Sequence, residues 1–309
     1  MSASFLRMGT RGSPLALAQA RETRSRLAAL HQVCEDRIEL VVIKTTGDAI
    51  VDRPLSQAGG KGLFTRELDA AQLAGEIDIA VHSAKDLPTQ LPEGLDVGGY
   101  LAREDVRDAL ISPRAPTLAE LPAGAKVGTA SLRRAAQLKR LRADFETPLL
   151  RGNVETRLRK AREGEIDATL LALAGLKRLG LAQHATAILD IDQFLPAVGQ
   201  GAIAITVRAD DSAMRTRIAG VIDADTAIAL AAERAFLHAL DGSCRTPIAG
   251  HARVCGARID FSGAVFRMDG SEAFEVSREG IAAQAAEIGA QAGREILDRL
   301  PSGVLAVKA

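Results

Sequence analysis

Lys85 and Asp86 follow the apolar run Ile77–Val81 within the stretch IDIAVHSAKDLP. Such a run reads as a buried parallel strand, and its carboxyl end is where α/β proteins place ligand-binding groups. A carboxylate at that position can act as an acid, a base or a stabiliser of a developing cation. Three basic turns repeat the setting. Arg11 and Ser13 lie where a strand meets the amino end of a helix, Arg133 and Arg134 follow the turn Gly128–Ser131, and Arg151 precedes Gly152 and Asn153 with Arg157 in the next helix. Free backbone N–H groups at helix amino ends attract anions, and each guanidinium can grip a carboxylate through two parallel hydrogen bonds. Several arginines in such places suit a ligand with many carboxylates. Phosphate is the rival anion, but no GxxxxGK[ST] loop supports a nucleotide.

Cys244 stands in the polar glycine turn DGSCR, after a long Ala-rich helical pattern. Two readings stay open: a nucleophile or covalent attachment point, or a structural cysteine. Cys34 and Cys255 sit in ordinary contexts and read as structural or incidental. Lys61, in GGKGLF, is either a contact for substrate anions or a solvated loop charge. The long connection that contains it, 45–62, reads as a lid or a disordered excursion. His82 reads as a structural neighbour of the Asp86 turn. His31, His184, His238 and His251 are scattered, so no metal is assigned.

The elements that must position these groups alternate between strand and helix. Phe5–Met8, Ile38–Lys44, Ile77–Val81 and Leu95–Arg103 read as strands, with helices over Leu15–Leu30 and Leu63–Leu73. Ser13 suits an N-cap and Pro14 a first helical position. A second series follows: strands Lys126–Thr129, Leu149–Gly152 and Ala168–Ala174, with helices Leu132–Leu141 and Val154–Arg162. Ala202–Val207 is a further strand, read as a return to the first sheet. Beyond it come a helix over Thr226–Leu240, short strands at Ile248–Val254, Ala264–Met268 and Ala273–Ser277, and a last helix over Ala282–Leu300. The expected class is α/β: two α/β domains, 1–103 with a return segment 200–222 and 104–199, then a small α+β domain over 223–309.

Composition narrows the function classes. The 309 residues are 47% hydrophobic, with 39 Lys plus Arg against 39 Asp plus Glu and only 3% aromatic. Zero formal charge and scarce stacking groups argue against a nucleic-acid module. No signal-peptide pattern opens the sequence and no uncharged run of about 18 apolar residues occurs, so no membrane is expected and a cytoplasmic location is. A non-enzymatic binding protein for small polyanions would account for the arginines but would leave Cys244 without a role.

The ordered motifs TRGSPLAL (10–17), GGKGLF (59–64), AVHSAKDLP (80–88), GTASLRR (128–134), LRGNVETRL (150–158), LAGLKRLG (173–180), LPAVGQGA (195–202) and AERAFLHALDGSCRTPIAGHA (232–252) resemble the porphobilinogen deaminase, or hydroxymethylbilane synthase, family over nearly the whole chain. The resemblance implies two domains like the halves of a periplasmic-type anion-binding protein and a third carrying the cysteine. It implies that Cys244 holds a dipyrromethane cofactor through a thioether. Four porphobilinogen units would be added to this primer with loss of ammonia, and hydrolysis would free the linear hydroxymethylbilane. It gives Asp86 the catalytic role, stabilising a cationic pyrrole. Arg11, Ser13, Lys85, Thr129, Ser131, Arg133, Arg134, Arg151 and Arg157 would bind the acetate and propionate groups of cofactor and substrate, with Lys61 and Phe64 in a flap. The family often has a serine where this chain has Ala130, which removes at most one donor. A monomer that passes its product to uroporphyrinogen III synthase completes the expectation.

Overall fold

The computed structural model describes residues 5–49, 62–242, 246–301 and 304. From the amino end the chain runs β1 (Leu6–Arg11), α1 (Pro14–His31), β2 (Ile38–Ile43), a single turn α2 (Thr46–Ala49), α3 (Arg66–Leu73), β3 (Ile79–Ser83) and β4 (Leu95–Tyr100). It continues through β5 (Asp108–Ile111), β6 (Val127–Gly128), α4 (Leu132–Leu141), α5 (Val154–Arg162), β7 (Ala168–Ala172), α6 (Leu173–Arg178), β8 (Ala187–Ile188), β9 (Ile203–Arg208) and α7 (Ser212–Ile218). The last elements are α8 (Ala224–Ala239), β10 (Ile248–Cys255), β11 (Arg258–Phe266), β12 (Ala273–Ile281) and α9 (Ala285–Arg299).

The described residues form two compact units, one drawn from Met1–Ile50, Gly60–Glu104 and Ala202–Ala227, the other from Asp105–Gly201 and Ile228–Ala309. The first is built on a five-stranded sheet in the order β2-β1-β3-β9-β4. β1 pairs parallel with β2 and β3, whereas β9 is antiparallel to both β3 and β4. Ile203, Ile205 and Val207 of β9 join Leu6, Met8, Ile79 and Val81 in one core. Their near-continuous apolar runs are what a strand covered on both faces requires. β1 extends beyond the expected Phe5–Met8, because Thr10 and Arg11 still pair with Val42 and Ile43 of β2. Ser13 then caps α1, its Oγ accepting from the Ala16 N–H at 3.3 Å, and Pro14 takes the first helical position.

The second unit holds a four-stranded sheet, β6-β7-β5-β8, and a three-stranded antiparallel sheet, β10-β11-β12. The segment Leu149–Gly152 is not a strand. It follows β6 through bonds from the Thr129 N–H to Pro148 O and from the Leu150 N–H to Thr129 O. Pro148 has no N–H to return, and Gly152 turns to φ +119, so no ladder forms. β5 went unrecognised because its first residue is a charged aspartate. β11 begins six residues before the expected Ala264, paired to β10 across a Gly256–Ala257 turn in which Gly256 takes φ +61.

Phe236, Phe261, Ile259, Val265, Ile288 and Ile296 fill the core between α8, α9 and the three-stranded sheet. α9 approaches α8 so closely that a Cβ on Gly289 would lie 1.9 Å from the Ala232 carbonyl oxygen. Backbone cannot yield as a side-chain tip can. Gly289→Ala is therefore expected to cost roughly 1–3 kcal/mol or more, read as a lower urea midpoint at unchanged slope.

Candidate active site

β1 and β3 are parallel neighbours, so their carboxyl ends share one edge of the sheet. β1 ends at Arg11, and β3 passes from Ser83 into a single 3-10 turn, Ala84–Asp86. Arg11 Nη1 stands 3.6 Å from Asp86 Oδ2, with the side chains 18% and 29% exposed. At this length the two groups form a loose, half-buried ion pair and not a direct hydrogen bond. The Arg11 guanidinium also lies 4.1 Å from the centre of the Phe64 ring, a cation–π contact. Ser13, Gln19, His82 and Ser83 line the same cleft. Lys85 is half-buried in the turn beside Asp86. Lys61, Gly59, Gly60 and Cys244 lie outside the described residues.

His82 is buried, with Nε2 3.4 Å from Thr206 Oγ1. Burial, reinforced by the charge of Arg11, pushes its pKa down to about 4. The imidazole is therefore neutral near pH 7. Gln19, which sequence reasoning passed over, holds Ser83 through reciprocal bonds of 2.9 and 3.1 Å. Nothing distinguishes it in the sequence from any polar residue of a helix.

The second unit supplies the other basic turns. β6 leads into Thr129, whose Oγ1 accepts from the Ser131 N–H at 3.1 Å. Ser131 caps α4, accepting from the Arg134 N–H at 3.4 Å, as Ser13 caps α1. Each capping oxygen is thereby occupied as an acceptor, while its hydroxyl hydrogen can still donate. Asn153 caps α5 by accepting from the Thr156 N–H at 2.8 Å, and Arg157 Nε donates to Gly152 O at 2.9 Å. This folds Arg157 back over the turn that carries Arg151, and both side chains are half-buried.

Arg133 and Arg134 differ from the open carboxylate clamps that the sequence suggests. They are 4% and 6% exposed, and half of their ten N–H donors already serve the protein. Arg133 Nη2 donates to Asp108 Oδ2 at 2.7 Å, and Arg134 Nε and Nη2 donate to Asp108 Oδ1 at 3.2 and 2.6 Å. Leu195 O and Leu170 O accept from the two Nη1 groups at 2.7 and 2.9 Å. Gln200 Nε2 adds a bond to Asp108 Oδ1 at 3.0 Å and one to Val106 O at 2.7 Å. Burial alone would raise the Asp108 carboxyl; the charges and hydrogen bonds of Arg133 and Arg134 outweigh it and hold it well below the usual carboxylate range. Removing one member of such a buried set costs about 3–5 kcal/mol, because the remaining charge is left uncompensated. Asp108 is the main residue that the sequence reading missed. The signal available was a charged residue heading an apolar tetrad, DALI, three residues after the acidic Asp105.

Comparison with known proteins decides the family. The model described as "Porphobilinogen deaminase, dipyromethane cofactor binding domain" matches residues 6–216, and "Porphobilinogen deaminase, C-terminal domain" matches 227–298. The chain belongs to the porphobilinogen deaminase family. A porphobilinogen deaminase of Nitrobacter hamburgensis is 60% identical over 292 residues, spanning 94% of this chain and 92% of that one. A porphobilinogen deaminase of Paracoccus denitrificans is 52% identical over 297 residues, with 96% and 95% covered. Among solved structures, a periplasmic substrate-binding protein of a Coxiella burnetii ABC transporter aligns over 70% of this chain and 92% of its own, at 13% identity and a TM-score of 0.43.

The reaction is accordingly that of hydroxymethylbilane synthase: condensation of porphobilinogen on a dipyrromethane cofactor, with loss of ammonia and release of hydroxymethylbilane. Both α/β sheets fall in the matched cofactor-binding part and the three-stranded sheet in the C-terminal part.

The lowered His82 pKa carries a pH signature. The unfolded imidazole takes a proton near pH 6.5 and the native one only near 4, so stability is full above pH 6.5 and falls as pH drops toward 4. The loss from this group approaches about 3 kcal/mol. His82→Gln, which cannot titrate, is expected to flatten that part of the stability–pH curve in urea melts between pH 7 and 4.

Proposed function

We propose that Cys244 holds the dipyrromethane through a thioether and that Asp86 is the catalytic carboxylate. Arg11, Ser13, Lys85, Thr129, Ser131, Arg133, Arg134, Arg151 and Arg157 bind the carboxylates of cofactor and growing chain. The observation that carries this reading is the pairing of Arg11 with Asp86 at the edge of one cleft. It offers a cation for a substrate carboxylate within 3.6 Å of a carboxylate for a pyrrole N–H.

The residues present fit the cofactor's chemistry. A dipyrromethane bears acetate and propionate groups, and the cluster of Arg133 and Arg134 on Asp108 carries one positive charge in excess. Arg133 Nε is buried without a hydrogen-bond partner, and half of the pair's ten N–H groups serve no protein acceptor among the described residues, which leaves donors for a carboxylate. When bound, the cofactor supplies the pyrrole carbon from which the chain starts.

The protein's own groups then divide the work. Positive charge develops on the substrate pyrrole as its ammonia departs, and the ring N–H becomes a stronger donor. Asp86 accepts from that N–H and stabilises the charge, a role that a lysine would reverse. The same carboxylate assists when the attacked ring carbon gives up its proton. Arg11 holds a substrate carboxylate, and its stack on Phe64 limits the orientations it can take. Neutral His82 adds no positive charge to compete with the cationic pyrrole for Asp86.

We infer the same three-domain division as the motifs suggest, with the two α/β parts resembling halves of a periplasmic-type binding protein. The discontinuous first sheet, completed by β9, supports that reading. A cytoplasmic monomer that passes hydroxymethylbilane to uroporphyrinogen III synthase is the setting we propose. In its favour, zero formal charge gives no general attraction to nucleic acid or anionic membranes. Among the described residues, no helix is long and apolar enough to cross a membrane.

Two experiments test the assignments. Asp86→Asn, loaded with primer in advance, should bind substrate nearly as the parent does but add rings about 10²–10³-fold more slowly in single turnovers. Asp86→Glu should retain more activity than Asn; parental rates in Asp86→Asn would make the carboxylate a structural one. Cys244→Ser should fold yet gain no mass on incubation with porphobilinogen, whereas the parent gains a dipyrrole. A dipyrrole mapped to Cys34 or Cys255 would overturn the attachment site.

A further inference from the structure

Buried arginines are costly, and two of them side by side doubly so. Arg133 and Arg134 share one carboxylate, Asp108, which is fully buried and bonded to each guanidinium at 2.7 Å or less. Two cations and one anion leave one positive charge in excess among the groups joined by these bonds. Both Asp108 oxygens face the arginines, and the backbone oxygens of Leu195 and Leu170 take one donor from each. These bonds use five of the ten N–H groups of the pair, and Arg133 Nε–H is among those without a partner. Asp108 is itself held from behind by Gln200, whose neighbour Gly199 donates its N–H to the buried Glu233 Oε2 at 2.7 Å.

We propose that Asp108 is a positioning residue for the reaction. It takes up one of the two arginine charges, fixes both guanidiniums, and leaves one positive charge of the pair for a further carboxylate. This rests on the reading of the arginine pair as part of the cofactor and substrate site. The ligand class is a carboxylate of a pyrrole-bound acetate or propionate. Asp108 touches no ligand and acts only through the arginines.

Charge bookkeeping separates this role from a merely structural one. In Asp108→Asn the excess rises from one charge to two, and a ligand carboxylate becomes worth more to the folded protein. A plain packing defect would instead lower the stability of the primer-free and primer-loaded forms equally. The fixed aim of the guanidiniums is also lost, so turnover at saturating porphobilinogen should fall even where binding does not.

The test uses full-length protein prepared without primer and then loaded with porphobilinogen. In Asp108→Asn we expect the gap in melting temperature between loaded and primer-free forms to widen, with kcat reduced at least tenfold and KM changed far less. Asp108→Glu should recover part of the kcat. Should Asp108→Asn fail to fold, Asp108→Asn with Arg133→Met restores the parental excess of one charge and is expected to fold. An unchanged melting gap together with kcat within twofold of the parent would overturn the proposal. Arg134→Leu separates the underlying site reading. If it loads primer and turns over normally, the carboxylate role of the pair itself falls. If it fails to load while Asp108→Asn matches the parent, only the part given to Asp108 falls.

Discussion

Two arginines adjacent in sequence can be buried together only if something neutralises them, and here that is a single carboxylate at the head of β5. Asp108 forces Arg133 and Arg134 onto the same side of the first turn of α4, although successive residues of a helix point about 100° apart. Their reach and flexibility absorb the difference. The four-stranded sheet, the capping Ser131 and the Gln200 turn all serve that arrangement. Function follows from incomplete neutralisation: a site for many carboxylates needs cations whose own protein partners do not exhaust them.

The first unit solves a milder form of the problem. Arg11 and Asp86 are left wet and 3.6 Å apart, so neither is locked by the other. A tight bidentate pair would be more stable and less useful, since a substrate carboxylate and a pyrrole N–H would have to break it. The two units thus present arginines in opposite states, one buried and fixed by Asp108, the other partly exposed beside Asp86. Both depend on the same local device, a strand end followed by a serine-capped helix.

That device is why much of the site was legible. Ser13 before Pro14, and Ser131 before the LRR run, announce helix starts by chemistry that needs no tertiary context. Arg11, Arg133 and Arg151 could be placed at element boundaries for the same reason. The helices Leu132–Leu141 and Val154–Arg162 were read to the residue. What failed depended on partners distant in sequence. β5 was hidden because a charged Asp108 can be buried only when two arginines some 25 residues away pair with it. Leu149–Gly152 looked like a strand because its leucines are apolar, but backbone pairing is decided by N–H groups, and Pro148 lacks one. The buried roles of Gln19 and Gln200 leave no periodic trace at all.

The position of β9 has a consequence for how the chain comes to be folded. It lies between β3 and β4, bonded to both, yet it is made long after them. Until Ile203–Arg208 leaves the ribosome, the inner edges of β3 and β4 have no partner, and Ile79 and Val81 lack half of their packing. Roughly 100 residues separate β4 from β9, several seconds of synthesis at about 5–20 residues per second. For that interval the growing chain displays two open strand edges beside an apolar face, the features that promote misassembly. The second sheet, whose strands all lie between residues 108 and 188, can close first. The order of translation thus runs against the order of the domains, and the amino-terminal sheet is completed only after the strands of the second sheet have been made.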